Sequence, residues 1–550
     1  MTILEMIKNK IFKRGAVKVT APSDRDTFIN NEGDLTKQRL EEYNIWYEGD
    51  GDELLNYYTK ENVIDYNYEP FYSRNKKNYF WAISSTEADI KRTHSGMPRN
   101  IIDTLVSIMK FPIINAGRLD TKDNAVTNNL KKIIEDCDLE GLYQQEQMPL
   151  TLVEGWGCYK INWDIDESDY PSISYYRAKD VDFVYKNNRI IGVIFKDYYT
   201  EGNSTYMLVE SRRLEVIDHQ RVLVIENELF EMQSKEQVVK VPLDRLKQLE
   251  STPERIEIGP VGAKCLLAVP TIFFKNTSEK GGYGRSIFTG KLDLFDDLDQ
   301  CLSQSSNSVR KSTPVEYFNS EYLERGADGL PKQPHAYDRK YSVYEGQRDS
   351  NGGVTGDPVT VTQPQIDFSK YSNEAISIML HIINGIVSPA TLGIDIAKKD
   401  NAEAQREKEK VTIFTRNAIL GIEGKILKSL CNQLLIAYEF MHDGKITVSD
   451  YDISVKFSEF ADESFETKLE KLGAAFGGEN MSEKMYMNKL YGDTLNEREY
   501  EEELEWLKEH HTQVQDQAML GATGGGANVM GMLGKDQDAP KSKEDLDDIM

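Results

Sequence analysis

The sequence predicts an α+β protein, on three observations. Apolar residues recur at helical spacing between Pro98 and Met109, where Ile101, Ile102, Leu105, Val106 and Met109 fall three and four apart. From Thr151 to Phe274 the pattern turns to short β-branched and aromatic runs separated by Gly, Asn and Asp. Two amphipathic helices then enclose a β-rich segment, and a much longer helix follows.

At the N-terminus Ile3, Leu4, Ile7, Ile11 and Phe12 alternate with Lys8, Lys10, Lys13 and Arg14, the pattern of a short amphipathic helix. Residues 20–80 are rich in Asp, Asn, Glu and Tyr and are expected to form short helices and surface loops. Strands are expected at Tyr159–Trp163, Ile190–Phe195 and Arg221–Ile225. After the glycines at 281, 282 and 284 a helix is predicted over 286–312, with Leu294, Leu298, Cys301 or Leu302, and Val309 on one side. Residues 314–366 lose helical periodicity and gather Gly, Pro and β-branched residues, including Val359-Thr-Val-Thr362. The second helix is predicted over 367–386, striped by Phe368, Tyr371, Ala375, Ile378 or Met379, Ile382 and Ile386. A loop with Ser388, Pro389 and Gly393 leads to Asp400-Asn-Ala-Glu403, which has the form of a helix-capping box. The helix it starts reaches Met441, with Gly421 and Gly424 marking a kink or a close contact. A strand over 446–457, helical runs at 463–475, 482–491 and 495–510, and an aperiodic tail from Gly521 to Met550 complete the chain.

A chain of 550 residues exceeds what one hydrophobic core usually holds, so several regions are expected. Its 39% hydrophobic and 29% charged residues are those of an ordinary globular protein. No apolar stretch approaches the roughly 18–20 residues of a bilayer span; the best, Cys265 to Phe274, is short and contains Pro270. The N-terminal segment lacks the uninterrupted apolar stretch of a secretory signal. The five cysteines lie far apart without a CxxC, which argues for buried thiols rather than a zinc site or disulfides. With 66 basic against 91 acidic residues the net charge is −25. Such a balance disfavours tight DNA binding over the whole surface, yet suits a conduit along which DNA slides.

Two stretches are specific enough to quote. Leu267-Ala-Val-Pro-Thr-Ile-Phe-Phe-Lys-Asn276 leads through Gly284-Arg-Ser286 into the first helix, and Ser388-Pro-Ala-Thr-Leu-Gly393 leads into Asp400-Asn-Ala-Glu-Ala-Gln-Arg-Glu-Lys-Glu409. Together with the order of elements over residues 95–440, these segments resemble the portal proteins of tailed bacteriophages. The resemblance implies an N-terminal region and mixed α/β wing to residue 283, stem helices at 284–313 and 367–386, and a small β-containing clip at 314–366. It further implies a tunnel loop at 387–402, a long wing helix at 403–441, a helical crown over 442–520 and a disordered tail over 521–550. A portal is a cyclic homo-oligomer of about twelve copies at one capsid vertex of the virion, made in the bacterial cytoplasm. Double-stranded DNA is packaged, retained and ejected through it. The partners implied are the terminase large subunit, then head-completion and tail adaptor proteins, with the major capsid and scaffold proteins around the ring; no membrane is involved.

No cofactor and no catalysis are expected. Gly284-Arg-Ser-Ile-Phe-Thr-Gly-Lys-Leu292 has one residue too many for a phosphate loop and Leu292 where a hydroxyl is needed. There is no H-E-x-x-H and no G-x-S-x-G, and His94 reads as a surface or helix-entry residue. Asp293, Asp296 and Asp297 make either a solvated helix face, a lumen-facing acidic ring or a divalent-ion site. In the loop, Pro389 and Gly393 set the backbone, while Lys398 and Lys399 are either solvated charges or contacts to passing phosphates. The competing readings are a metal-dependent hydrolase or nuclease and a helical scaffold or adaptor.

Overall fold

The structure is a computed structural model and describes residues 33–59, 79–83, 90–117, 124–163, 168–186, 189–232, 238–262, 264–276, 283–312, 314–332, 340–363, 368–394, 409–443 and 451–458. It divides into two compact units, Met1–Ser458 and Glu459–Met550. Of the second unit only Leu472, Met485, Tyr486, Glu503, Glu505 and Trp506 are described, all helical. The expected N-terminal helix, the capping box at 400–403, most of the helical runs after 460 and the tail lie outside the described residues.

The first unit has an α+β fold. Its first described elements are α1 (Gly33–Glu48), α2 (Gly51–Thr59) and a 3-10 turn at Phe80–Ala82. Helix α3 (Met97–Ile108) carries Pro98 in its first turn, where a missing N–H costs nothing, and buries Ile101, Ile102 and Leu105 completely. Full burial of such side chains contributes about 1.5–3 kcal/mol each. Strand β1 (Ile113–Gly117) leads to α4 (Asn124–Asp136) and then to one continuous helical path: α5 (Leu139–Leu142), a π-turn at Tyr143–Gln147, and α6 (Met148–Glu154). The β pattern expected from Thr151 therefore starts six residues later. Thr151 is buried in α6 and shares its hydroxyl with Tyr175 (2.7 Å) and Thr271 (3.1 Å), so its β-branched side chain serves a helix packed on a sheet.

Gly155, at φ +94, ends that helix, and β2 (Gly157–Asn162) begins. Strands β3 (Ser172–Arg177), β4 (Val181–Lys186), β5 (Arg189–Glu201), β6 (Ser204–Ile217), β7 (Gln220–Met232), β8 (Val238–Val241), β9 (Arg255–Ile258) and β10 (Ala268–Thr271) follow. They form two antiparallel sheets, β10-β2-β3 and β4-β5-β6-β7-β8, with β9 also on β7. A buried charged seam fastens one sheet to the other. The Arg212 guanidinium donates to the carbonyls of Ile161 and Leu267 and to Glu210 (2.6 Å), and Lys160 meets Glu210 at 3.0 Å. Two cations thus hold the Glu210 carboxyl below the usual carboxylate range despite its burial.

Helix α7 (Leu292–Lys311) begins later than the expected 286, because Ser286–Gly290 forms a turn that buries Phe288 and needs Gly290 at φ +79. Strands β11 (Val315–Asn319), β12 (Lys340–Tyr344), β13 (Gln347–Arg348), β14 (Val354–Thr355) and β15 (Val359–Thr362) fill the segment between the helices as a β12-β11-β15 sheet and a β13-β14 ribbon. Helix α8 (Phe368–Ile383) ends before Gly385, at φ +78. The long helix α9 runs Lys410–Asp443, about 51 Å, and β16 (Asp452–Lys456) returns to pair with β1.

One hydrophobic core joins α1 to α6, the small sheet, the base of α7 and α8, and α9, centred on Trp46, Tyr143, Tyr159, Phe295, Leu427 and Leu430. Cys158, Cys265, Cys301 and Cys431 are buried in it as free thiols, and Cys137 is half-buried. The two glycines of α9 differ: a Cβ on Gly424 would sit 3.4 Å from the Phe457 ring, whereas Gly421 faces open space. Close packing explains the first only.

Glu423 of α9 is fully buried with a single hydrogen bond, from Gln147 Nε2 at 3.2 Å, and burial pushes its carboxyl up to about 8. The folded state therefore binds the Glu423 proton more tightly than the unfolded chain does, and stability falls as pH rises from the ordinary glutamate range towards 8. Glu423→Gln removes the ionisable group and keeps the partner. Its thermal stability should gain on wild type as pH is raised from 5 to 8, by on the order of 1–3 kcal/mol at the upper end, measured by denaturation at each pH.

A second expectation concerns Gly155 and Gly284. A Cβ on Gly284 would lie 2.0 Å from the Gly155 carbonyl oxygen, and one on Gly155 2.9 Å from the backbone of Gly284 and Arg285. Neither neighbour can yield, since both are main chain. Gly284→Ala should cost more than about 3 kcal/mol or abolish soluble expression.

Candidate functional site

The helices α7 and α8 leave the core side by side and antiparallel. At the base, Lys291 Nζ donates to the carbonyls of His381 (2.7 Å) and Asn384 (3.3 Å), a cation on the free carbonyls at the C-terminus of α8. Higher up, Cys301 Sγ meets the Tyr371 carbonyl at 3.6 Å and Ser308 the Tyr371 hydroxyl at 3.1 Å. Burial decreases outward: Phe295 and Ile382 are inaccessible, whereas Val309 and Phe368 are about half exposed. The pair's outer face holds a groove of about 440 Å³ lined by Cys301, Leu302, Ser305, Phe368, Tyr371 and Ile376.

Of Asp293, Asp296 and Asp297, read from the sequence as a solvated face, a lumen-facing ring or a divalent-ion site, the first two bond the N-terminal segment. Asp296 is 3% exposed and accepts the backbone N–H groups of Phe80 (2.7 Å) and Trp81 (3.3 Å). Asp293 accepts the Tyr79 hydroxyl. Asp299, missed in the sequence, is fully buried and takes His94 Nδ1 (2.7 Å), the Ser95 N–H (2.8 Å) and Trp81 Nε1 (3.0 Å). Ser303 continues the row to the Thr93 N–H at 2.9 Å. Positions 293, 296, 299 and 303 share one side of a helix, and that side grips the N-terminal segment. Asp297, one residue off the row, alone of the three is exposed. His94 is accordingly half-buried rather than a surface residue, its ring tilted against Trp46 (centroids 5.7 Å apart), and it stands three residues before the start of α3 at Met97.

After α8 the chain runs into the loop with Val387 and Ser388 both buried. The Ser388 N–H donates to Thr412 Oγ1 at 2.8 Å, Thr412 N–H returns to Ser388 Oγ at 3.4 Å, and Thr391 Oγ1 lies 2.7 Å from Thr412 Oγ1. Pro389 accepts through its carbonyl from the Ile394 N–H (3.0 Å), and Gly393 turns at φ +72 with nothing within 4 Å of its would-be Cβ. The loop's first half is thus stitched to the start of α9, and its glycine supplies the left-handed turn. Lys398 and Lys399 lie outside the described residues.

Among the described residues no three His, Cys, Asp or Glu side chains are placed to hold a metal ion, and no helix is long and apolar enough to cross a membrane. No protein-family model matches the chain, and no curated protein sequence matches it.

Thr412 holds the loop from two sides, through Ser388 and Thr391. Thr412→Val keeps the shape and leaves the buried Ser388 N–H without its acceptor, so stability should fall by about 1–3 kcal/mol. Thr412→Ser should recover most of it; equal loss in both, by chemical denaturation, would assign the effect to packing.

Proposed function

We propose that the chain is a portal subunit of a tailed bacteriophage, one of about twelve copies in a ring that serves as the capsid channel for double-stranded DNA. The observation that carries the reading is the helix pair with its load. Helices α7 and α8 project from the core, expose Val309, Phe368, Ile376 and Leu380, and carry a β module in which Asn319 alone is buried among the described residues. A module so thin has no core of its own, and exposed apolar residues along its support call for cover. Neighbouring copies related by rotation supply such cover all round a closed ring.

The rest of the reading follows from this arrangement. The β module, at the end away from the core, is the docking surface for the terminase large subunit and later for head-completion and tail adaptor proteins; capsid and scaffold proteins surround the ring. At −25 per copy, about twelve copies carry roughly −300, a field that keeps DNA from adhering to the channel. Lys398 and Lys399, on the loop after Gly393, make transient, salt-screened contacts to phosphates. No step of this function requires catalysis by the chain or a cofactor.

Electron micrographs of the purified chain should show closed rings with a central hole, and light scattering a mass near twelve protomers. Monomers alone over micromolar concentrations, at low and moderate salt, would overturn the reading. Lys398→Ala with Lys399→Ala should leave rings intact and lower the genome content of assembled heads; normal content would reduce both lysines to solvated charges.

A further inference from the structure

The N-terminal segment lies along α7 in two pieces, residues 79–83 and 90–96; it shares the core with that helix through Phe80 and Trp81 and is bonded to it by a row of polar contacts. Seven of its hydrogen bonds end on four α7 side chains: Tyr79 on Asp293, the Phe80 and Trp81 N–H groups on Asp296, Trp81 Nε1, His94 and the Ser95 N–H on Asp299, and the Thr93 N–H on Ser303. Asp296 and Asp299 stand one turn apart and both are buried, 3% and 0% exposed. Two like charges at that spacing in a dry site repel, and a proton on Asp296 relieves the repulsion.

We propose that this strap is a proton-operated latch: it closes on α7 when the Asp296–Asp299 pair carries one negative charge and loosens when the pair carries two. The groups facing the pair set the balance. On α7 these are Asp293, Asp297 and Asp299; on the strap, Tyr79, Arg92 and His94; from α1 and α2, Glu42 and Tyr58 reach the same layer through Tyr79; and Glu374 of α8 faces Asp297. Arg92 lies over the Phe80 and Trp81 rings and bonds the Ile83 carbonyl, so the hydrogen bonds found for it stay within the strap. His94 meets Asp299, and among the described residues the Asp296 carboxyl receives neutral N–H donors alone.

Burial, outweighing those two N–H donors and reinforced by Asp299 and Asp297, pushes the Asp296 carboxyl up to about 7. With the strap released, the same carboxyl is solvated and returns to the ordinary aspartate range. The closed latch therefore binds the extra proton. Attachment is fully present in acid, below the ordinary aspartate value, and is lost progressively as pH climbs to about 7. The consequence is control of how firmly α1, α2 and the strap are tied to α7, and it holds whether or not the chain forms a portal ring.

Hydrogen exchange on the full-length protein tests it, read at the Phe80, Trp81 and Ser95 amides between pH 5 and 7.5 and corrected for the intrinsic rate. In wild type their protection should fall about tenfold per pH unit up to about 7, the signature of one linked proton, while amides of β6 and β7 hold theirs. Asp296→Asn keeps an acceptor and removes the charge, so its strap amides should show no such slope. Asp299→Ala should expose the strap at every pH by removing the acceptor of three bonds. Flat protection in wild type, or an undiminished slope in Asp296→Asn, overturns the proposal; the wild-type series decides alone if a variant does not fold.

Discussion

The contact on which the rest of this unit depends is backbone against backbone, where Gly155 meets Gly284 and Arg285. Gly155 closes the helical path that began at Leu139 and opens β2, and the Ile287 N–H donates to Leu152 of the same helix at 3.0 Å. The polypeptide entering α7 is thereby fixed to the junction between helix and sheet with no side chain interposed. Main-chain contact of this kind leaves little freedom of angle, so the direction in which α7 and α8 leave the core is set before any of their own residues pack. The pair's depth is set next, by Phe288 and Phe295 inside the core and by Lys291 across the end of α8.

Charge inside this unit is handled in three ways. Glu154, 1% exposed, is saturated: Arg177 (2.7 Å), the Ala178 N–H (2.8 Å) and Asn44 (2.9 Å) all donate to it, which joins α1, α6 and β3 at one carboxylate. Arg212 and Lys160 neutralise Glu210 between the sheets. Asp296 and Glu423 have donors but no cation among their hydrogen-bond partners, and burial raises both carboxyls. The first two arrangements pair the buried charge with a cation, whereas the third makes local stability depend on proton concentration.

Sequence periodicity located α3, α7, α8, the long helix and the β character of the segments between them, because each carries an apolar stripe or alternation strong enough to stand without context. It failed where tertiary contact decides. Thr151 looks like the start of a strand and lies in a helix, since its hydroxyl is matched by Tyr175 and Thr271 across 24 and 120 residues. Helix α4 went unread although Val126, Leu130 and Ile133 are spaced at four and three, overshadowed by polar neighbours. At the candidate site the acid-rich side of α7 was visible, but not its destination. Asp296 and Asp299 face inward because residues some 200 positions earlier supply the N–H groups, and no local rule connects Trp81 or His94 with a helix so far along the chain. The loop's Pro389 and Gly393 were legible as backbone devices; the partner of Ser388 was not, because Thr412 is an ordinary threonine on a long helix.

Among the described residues the β module is joined to the rest through the two helix tips, at Lys311 and Phe368, and those tips already stand together through Ser308 and Tyr371. A short reverse turn would close the same gap. Residues 314–363 contribute one buried side chain among those described, and none to the main core. Selection on this segment is therefore released from the demands of folding. Related chains should be free to lengthen, shorten or exchange it, while the stretch from Gly155 to the base of α7 stays constant.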